Sequence, residues 1–418
     1  MKVVWICNFS DLIIRRNLRF RRFSFRLLIN VYNQIIGKPI FSWNDYGIWV
    51  SKAISEFEKF DDISLLVIFP HSGICGLSQS FVINGVNYFC YRPEDDYFYK
   101  KIIRRFLGGN TNYSRNRKLI LRQIENYSPN FIHLIGAENP VYSSAFLDID
   151  YRIPCLVSLQ TLMSEKDFIK GYPISNKSYL FRTSIEKAII RKAKYIASSF
   201  MQYKKTVMDI NPNAVFLHLP LASGVAINRS ESYKEYDFVY FSADIEKAGN
   251  YVVEVFYRAW KKNRTIRLNI SGGFKENYRK QIEEKLLRLG LSNNVFITGR
   301  KNTHEEVLDQ IRKSRFALIP IIVDMITSTV LESMANGLPV VTTKTPSTPL
   351  LNNNRESVLL SEIGDYNEMA DNMLKLINDN NLAEKLRENA YITVQESFDN
   401  SALMRKWVSA YKMICENY

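Results

Sequence analysis

The chain has 418 residues, 46% of them hydrophobic, and a formal net charge of +14. That length suits two domains of about 200 residues each, and no run approaches the roughly 18 uninterrupted apolar residues of a membrane span. The positive excess favours anionic partners. With no nucleic-acid motif or zinc-finger spacing, lipid head groups and phosphorylated substrates lead. The scattered cysteines and histidines imply a reducing compartment, with no disulfide framework and no metal site.

Met1 to Cys7 opens a strand (Val3 to Cys7) rather than a secretory leader, since its apolar run is short and lacks a cleavage site. Asn8 to Asp11 then forms a loop at that strand's carboxyl end. Arg15, Arg16, Arg19, Phe20, Arg21, Arg22 and Phe23 open a basic, aromatic stretch that runs to Tyr32. Such a mixture places aromatics in lipid and arginines at head groups, although a solvated basic face over a core stripe has the same composition. Gly47 to Phe60 has helical periodicity, and Ser64 to Phe69 reads as a strand. Asn84-Gly85 between apolar runs predicts a hairpin. Residues 108–116 read as an exposed loop, Lys118 to Tyr127 as a helix and Phe131 to Ile135 as a buried strand. A polar turn, Gly136 to Pro140, follows and carries Glu138. Further strands are expected at Cys155–Leu159, Tyr195–Ala197 and Ala214–Leu217. The polar stretch Ala222 to Tyr236 reads as a linker.

The second half alternates regularly. Strands are expected at Asp237–Phe241, Ile266–Ile270, Val295–Thr298, Phe316–Pro320, Pro339–Thr342 and Ser357–Leu360, with helical patterns between them. That alternation predicts a parallel, doubly wound sheet. No Gly-x-Gly-x-x-Gly follows a strand, so a dinucleotide fingerprint is absent. Small residues at Gly272 and Gly273 leave room for a ligand at a strand end. Asp324 stands where the fourth strand stops. Thr327, Ser328 and Thr329 can cap a helix whose inward face is Val330, Leu331 and Met334. Gly337 ends that helix and Pro339 opens the next strand. A helix starting at a strand's carboxyl end suits a phosphate.

The stretch Asp324-Met-Ile-Thr-Ser-Thr-Val-Leu-Glu332-Ser-Met-Ala-Asn-Gly-Leu-Pro339 resembles the donor-binding signature of glycosyltransferase family 4, retaining enzymes of the GT-B fold. The family has two glutamates with seven residues between them. Here Asp324 takes the first place and Glu332 the second, and the family's turn glycines are replaced by Ile326, Thr327 and Ser328. Phe241 to Gly249 resembles the segment in which an arginine and a later lysine grip the donor diphosphate. Lys247 matches the lysine, and Ser242 stands for the arginine. The family's His-x-His strand end falls on His133 and Ile135. That leaves His133 as a sugar-side contact or a core histidine, and Glu138 as a polar substitute. Asp148-Ile-Asp150 matches a metal-binding Asp-x-Asp but reads as a helix-to-strand turn.

The resemblance implies a GT-B chain: two Rossmann-like doubly wound domains facing an interdomain cleft, 1–225 on the acceptor side and 236–400 on the donor side. A final helix, 401–418, would pack back on the first. Lys247, Asp324 and Glu138 would be catalytic. Glu332 would hold the ribose, and Ser242, Gly272, Gly273, Gly299, Arg300 and the amides of Met325, Ile326, Thr327 and Ser328 would complete donor binding. Asn8 and the basic segment would face the acceptor or the membrane. The implied reaction is metal-free sugar transfer from a UDP- or GDP-sugar, with no cofactor. The acceptor would be a lipid-linked saccharide, and the setting surface-polysaccharide assembly on the inner face of the cytoplasmic membrane. A non-catalytic sugar-nucleotide-binding subunit and a GT-B-like epimerase are the other readings.

Overall fold

The computed structural model describes residues 1–21, 32, 34, 35, 43, 45–96, 112–165, 176–222, 233–242, 245–322 and 326–418. The chain forms two compact units, Met1–Ala222 with Asn400–Tyr418, and Ser223–Asp399.

The first unit contains β1 (Lys2–Ile6), α1 (Leu12–Asn17), α2 (Ile48–Phe57), β2 (Ser64–Pro70), β3 (Ser78–Ile83), β4 (Val86–Tyr91) and α3 (Ser114–Tyr127). It continues with β5 (Phe131–Ile135), α4 (Pro140–Ser143), β6 (Cys155–Leu159), α5 (Asn176–Lys192), β7 (Tyr195–Ser198), α6 (Tyr203–Ile210) and β8 (Val215–His218). The strand order is β3-β4-β2-β1-β5-β6-β7-β8. All pairs are parallel except β3 with β4. That hairpin turns at Asn84 and Gly85, whose positive φ values of 49° and 80° fit a type I′ turn. β5 is buried along its whole length, as a parallel strand covered on both faces must be.

The second unit contains β9 (Tyr236–Ser242), α7 (Gly249–Lys262), β10 (Leu268–Gly272), α8 (Glu276–Arg288), β11 (Val295–Gly299), α9 (His304–Arg312) and β12 (Ser314–Ile319). After these come α10 (Ser328–Ala335), β13 (Val340–Lys344), β14 (Val358–Glu362), α11 (Tyr366–Asn378) and α12 (Asn380–Ser397). Its sheet is wholly parallel, in the order β11-β10-β9-β12-β13-β14. This is a doubly wound sheet whose order reverses between β9 and β12. β10 lies two residues later than the sequence suggests. Asn263 accepts from Thr265 in a turn, and pairing with β9 persists to Gly272 opposite Ser242. β12 stops before Pro320, which has no N–H to continue the ladder.

The last helix, α13 (Asn400–Glu416), belongs to the first unit. Leu403, Met404, Trp407, Val408, Tyr411 and Ile414 recur at helical spacing and are buried. They enter the core built by Trp5, Phe57 and Phe131. The Phe131 and Tyr411 rings stack with centroids 4.3 Å apart. Among the described residues no helix is long and apolar enough to cross a membrane.

Candidate functional site

In an open parallel sheet, the crevice for ligands lies at the carboxyl ends of the two strands where the order reverses. In the second unit these are β9 and β12. β9 ends at half-buried Ser242. The chain then folds close over β10, and the Ile245 amide donates to the Gly273 carbonyl at 3.0 Å. A Cβ on Gly272 would stand 1.9 Å from the Ser242 carbonyl oxygen. This glycine therefore admits the neighbouring loop rather than a ligand. Lys247 ends a short 3₁₀ turn, Ile245–Lys247. Its side chain lies outside the described residues.

On the other side, Thr343 of β13 clamps the exit from β12. Its hydroxyl accepts from the Ile321 amide at 2.7 Å and donates to the Ile321 carbonyl. Asp324 and Met325 lie outside the described residues. Ile326 packs against the core. Thr327 caps α10, its hydroxyl accepting from the Val330 amide, and Ser328 is exposed. The Ser328 and Thr329 amides at the start of α10 have no carbonyl ahead of them in the helix, which leaves a positive end at this edge of the sheet.

Glu332 stands one turn inside α10 and is 6% exposed. Among the described residues its carboxylate takes no hydrogen bond. The His304 Nε2, on the first residue of α9, lies 3.6 Å away. Burial pushes the Glu332 carboxyl up to about 8. An enclosed acid without a hydrogen-bond partner is costly in isolation and ready for ligand hydroxyls. Gly299 ends β11 with a φ of 70°, and Arg300 beyond it is exposed. By chain position, Ser242 and the backbone of Lys247 follow β9, and Thr327, Ser328 and Glu332 follow β12, the two strands of the reversal point, with Gly299 and Arg300 at the end of the outermost strand. The reading from sequence missed His304. Its only signal is its place at the start of a helix with a Thr303/Glu306 capping box.

The first unit reverses between β1 and β5. Asn8 follows β1, and Glu138 follows β5. The Glu138 Oε2 is enclosed and takes no hydrogen bond among the described residues. Desolvation holds this carboxyl up at about 7, with nearby Glu186 adding to the rise and Arg182 and the Tyr142 hydroxyl opposing it. The Arg182 Nε donates to the Glu138 carbonyl at 2.8 Å. Glu186 accepts from the Met163 amide and from the amide and hydroxyl of Ser164. Arg182 and Glu186 escaped the reading from sequence because they come from α5, far along the chain.

His133 is not on the sugar side. It is fully buried, with Nδ1 2.6 Å from the Tyr411 hydroxyl and Nε2 2.7 Å from the Ser158 hydroxyl. Both ring nitrogens are used within the core. Asp148 and Asp150 are held by Arg117 and Arg152 respectively, as a turn requires.

The basic segment also needs correction. Arg15 turns inward, pairing with Asp45 at 2.6 Å and donating to Ser10. Arg21 pairs with Asp96. Phe20 stacks on Trp43 with centroids 5.7 Å apart. Arg16, on α1 with exposed Leu12 and Ile13, faces solvent, and so does Arg19 beyond the helix end. Arg22 and Phe23 lie outside the described residues. The aromatic and two of the arginines build the loop around His71 and Asp96 rather than a free surface.

Comparison with known proteins agrees with this architecture. The whole chain superposes on sucrose-phosphate synthase from Thermosynechococcus elongatus with a TM-score of 0.68 at 14% identity, covering 100% of both chains. It also superposes on HepE of Anabaena, solved with UDP and glucose, with a TM-score of 0.65 at 12% identity, covering 98% and 99% of the two chains. The fold is GT-B. Residues 226–393, less than half of the chain and nearly all of the second unit, match the family described as glycosyl transferases group 1. A curated relative is the poly(ribitol-phosphate) alpha-N-acetylglucosaminyltransferase of Staphylococcus aureus (strain COL), 24% identical over 173 residues. The match covers 38% of this chain and 32% of the relative's length.

Proposed function

We propose that the protein is a glycosyltransferase that moves a sugar from a nucleoside-diphosphate sugar to a hydroxyl of a saccharide acceptor. The observation that carries this reading is the enclosed Glu332 carboxylate, without a hydrogen bond among the described residues, one turn inside the helix that starts at the reversal point of the sheet. Ribose hydroxyls would donate to Glu332. The diphosphate would be neutralised by Lys247 and the first-turn amides of α10, a charge-stabilising arrangement that needs no metal ion. Asp324 is assigned to hydroxyls of the transferred sugar. Glu138, at the reversal point of the first unit, is assigned to a saccharide hydroxyl there.

The reaction we propose retains the anomeric configuration. The bond from the anomeric carbon to the phosphate oxygen breaks, and a bond to the acceptor oxygen forms on the same face. The acceptor proton passes to the departing phosphate oxygen. Exposed Arg16 and Arg19 and exposed Leu12 and Ile13, together with the net charge, support an acceptor that is lipid-linked at an anionic membrane surface. The setting this implies is surface-polysaccharide assembly at the inner face of the cytoplasmic membrane. The test is incubation of the purified chain with radiolabelled UDP- and GDP-sugars and a bacterial lipid-linked saccharide extract. Label transferred to the lipid fraction supports the proposal. Donor left intact, or isomerised with no acceptor present, overturns it.

A further inference from the structure

We infer that His304 is a positioning residue that aims the Glu332 carboxylate at the ribose of a nucleoside diphosphate; this rests on the donor-site reading of the second unit. The two helices involved are tied at both ends. At the far end the Arg312 Nε of α9 donates to Asn336 Oδ1 at 3.0 Å, and both residues are 6% exposed. Asn336 in turn donates to the Glu332 carbonyl at 2.8 Å. At the near end the capping box of Thr303 and Glu306 fixes the start of α9 and with it the root of His304. The imidazole therefore reaches Glu332 from a rigid frame, at 3.6 Å, with side chains that are 19% and 8% exposed.

Glu332 has no hydrogen bond of its own among the described residues. A glutamate has three side-chain torsions, and without a partner its carboxylate would sample several orientations, of which a few face the crevice. An imidazole beside one oxygen selects among them and leaves the other for a pair of vicinal hydroxyls. A group that acts in this way changes recognition of the ribose more than the grip on the phosphates.

The experiment is calorimetric titration of UDP, GDP and their 2′-deoxy analogues into the full chain and into His304→Ala, His304→Gln, Glu332→Gln and the double variant His304→Ala/Glu332→Gln. Melting curves accompany each. The account expects His304→Ala to weaken ribonucleotide binding about tenfold (about 1.4 kcal/mol) and to lose the preference for ribose over deoxyribose. His304→Gln, whose amide still donates, keeps that preference. The double variant binds no worse than Glu332→Gln alone. Additive losses, or an unchanged ribose preference in His304→Ala, overturn the inference while leaving the donor site standing. If His304→Ala does not fold, retention of the preference in His304→Gln supports the inference and its loss overturns it. Binding of no nucleotide by the parent chain removes the donor-site reading itself.

Discussion

The Tyr411 hydroxyl lies 2.6 Å from His133 Nδ1 and also accepts from the Trp5 indole at 3.1 Å. The last helix of the chain is thereby locked to the two central strands of the first unit by a buried polar network. Removing one member leaves the others unsatisfied in the core. Tyr411→Phe should cost about 1–3 kcal/mol. Trp407→Ala, which empties a fully buried indole site, should cost about 3–5 kcal/mol. Denaturant unfolding of both variants checks these values.

His133 predicts how the fold responds to acid. Burial depresses its imidazole from the usual 6.5 to about 3. The unfolded chain therefore binds a proton that the folded chain refuses. This contribution to stability is complete above about 6.5 and is lost progressively as pH falls towards 3. At pH 5 the loss should be about 2 kcal/mol. In His133→Gln the corresponding slope between pH 6.5 and 5 should vanish, whatever that substitution does to absolute stability. Urea midpoints measured at pH 7 and 5 make the comparison.

Gly272→Ala should disable the second unit's site. The new methyl meets a main-chain oxygen at 1.9 Å, and no flexible side chain can yield there. Ser242 and Ile245 must move away from β10. Nucleotide affinity should fall at least about tenfold, or about 1.4 kcal/mol, with calorimetry as the check and circular dichroism confirming that the sheet persists.

Thr343→Val preserves side-chain shape but removes the hydroxyl that holds both main-chain groups of Ile321. The buried amide loses its acceptor, at a cost of about 1–3 kcal/mol. Residues 323–327 follow directly, so nucleotide binding should weaken as well. Thr343→Ser, which keeps the hydroxyl, should lie close to the parent in both measurements.

Much of this was legible in the sequence because local and global signals agreed. The alternating pattern of the second half gave its parallel sheet, Asn84-Gly85 gave the hairpin, and Thr327 gave the cap of α10. Glu332 could be placed one turn inside α10 because helix, acid and strand stand in one continuous stretch. What the sequence left open or misplaced depended on contacts distant in sequence. His133 stayed open between a sugar-side and a core position, because it lies on a strand buried on both faces, where periodicity cannot say which way a side chain points, and the structure places it in the core. Arg15 looked like a lipid contact because its partner, Asp45, comes from another segment. His304 and Arg182 gain meaning only once α9 meets α10 and α5 meets the end of β5.

The central claim is that the carboxyl edge of the second unit binds a nucleoside diphosphate through Lys247 and Glu332. The most direct test is calorimetric titration of UDP and of GDP into the parent chain and into Lys247→Ala. The account predicts that one of the two nucleotides binds and that the substitution weakens it at least about tenfold, or about 1.4 kcal/mol. No binding of either nucleotide, or equal binding by parent and variant, would contradict it.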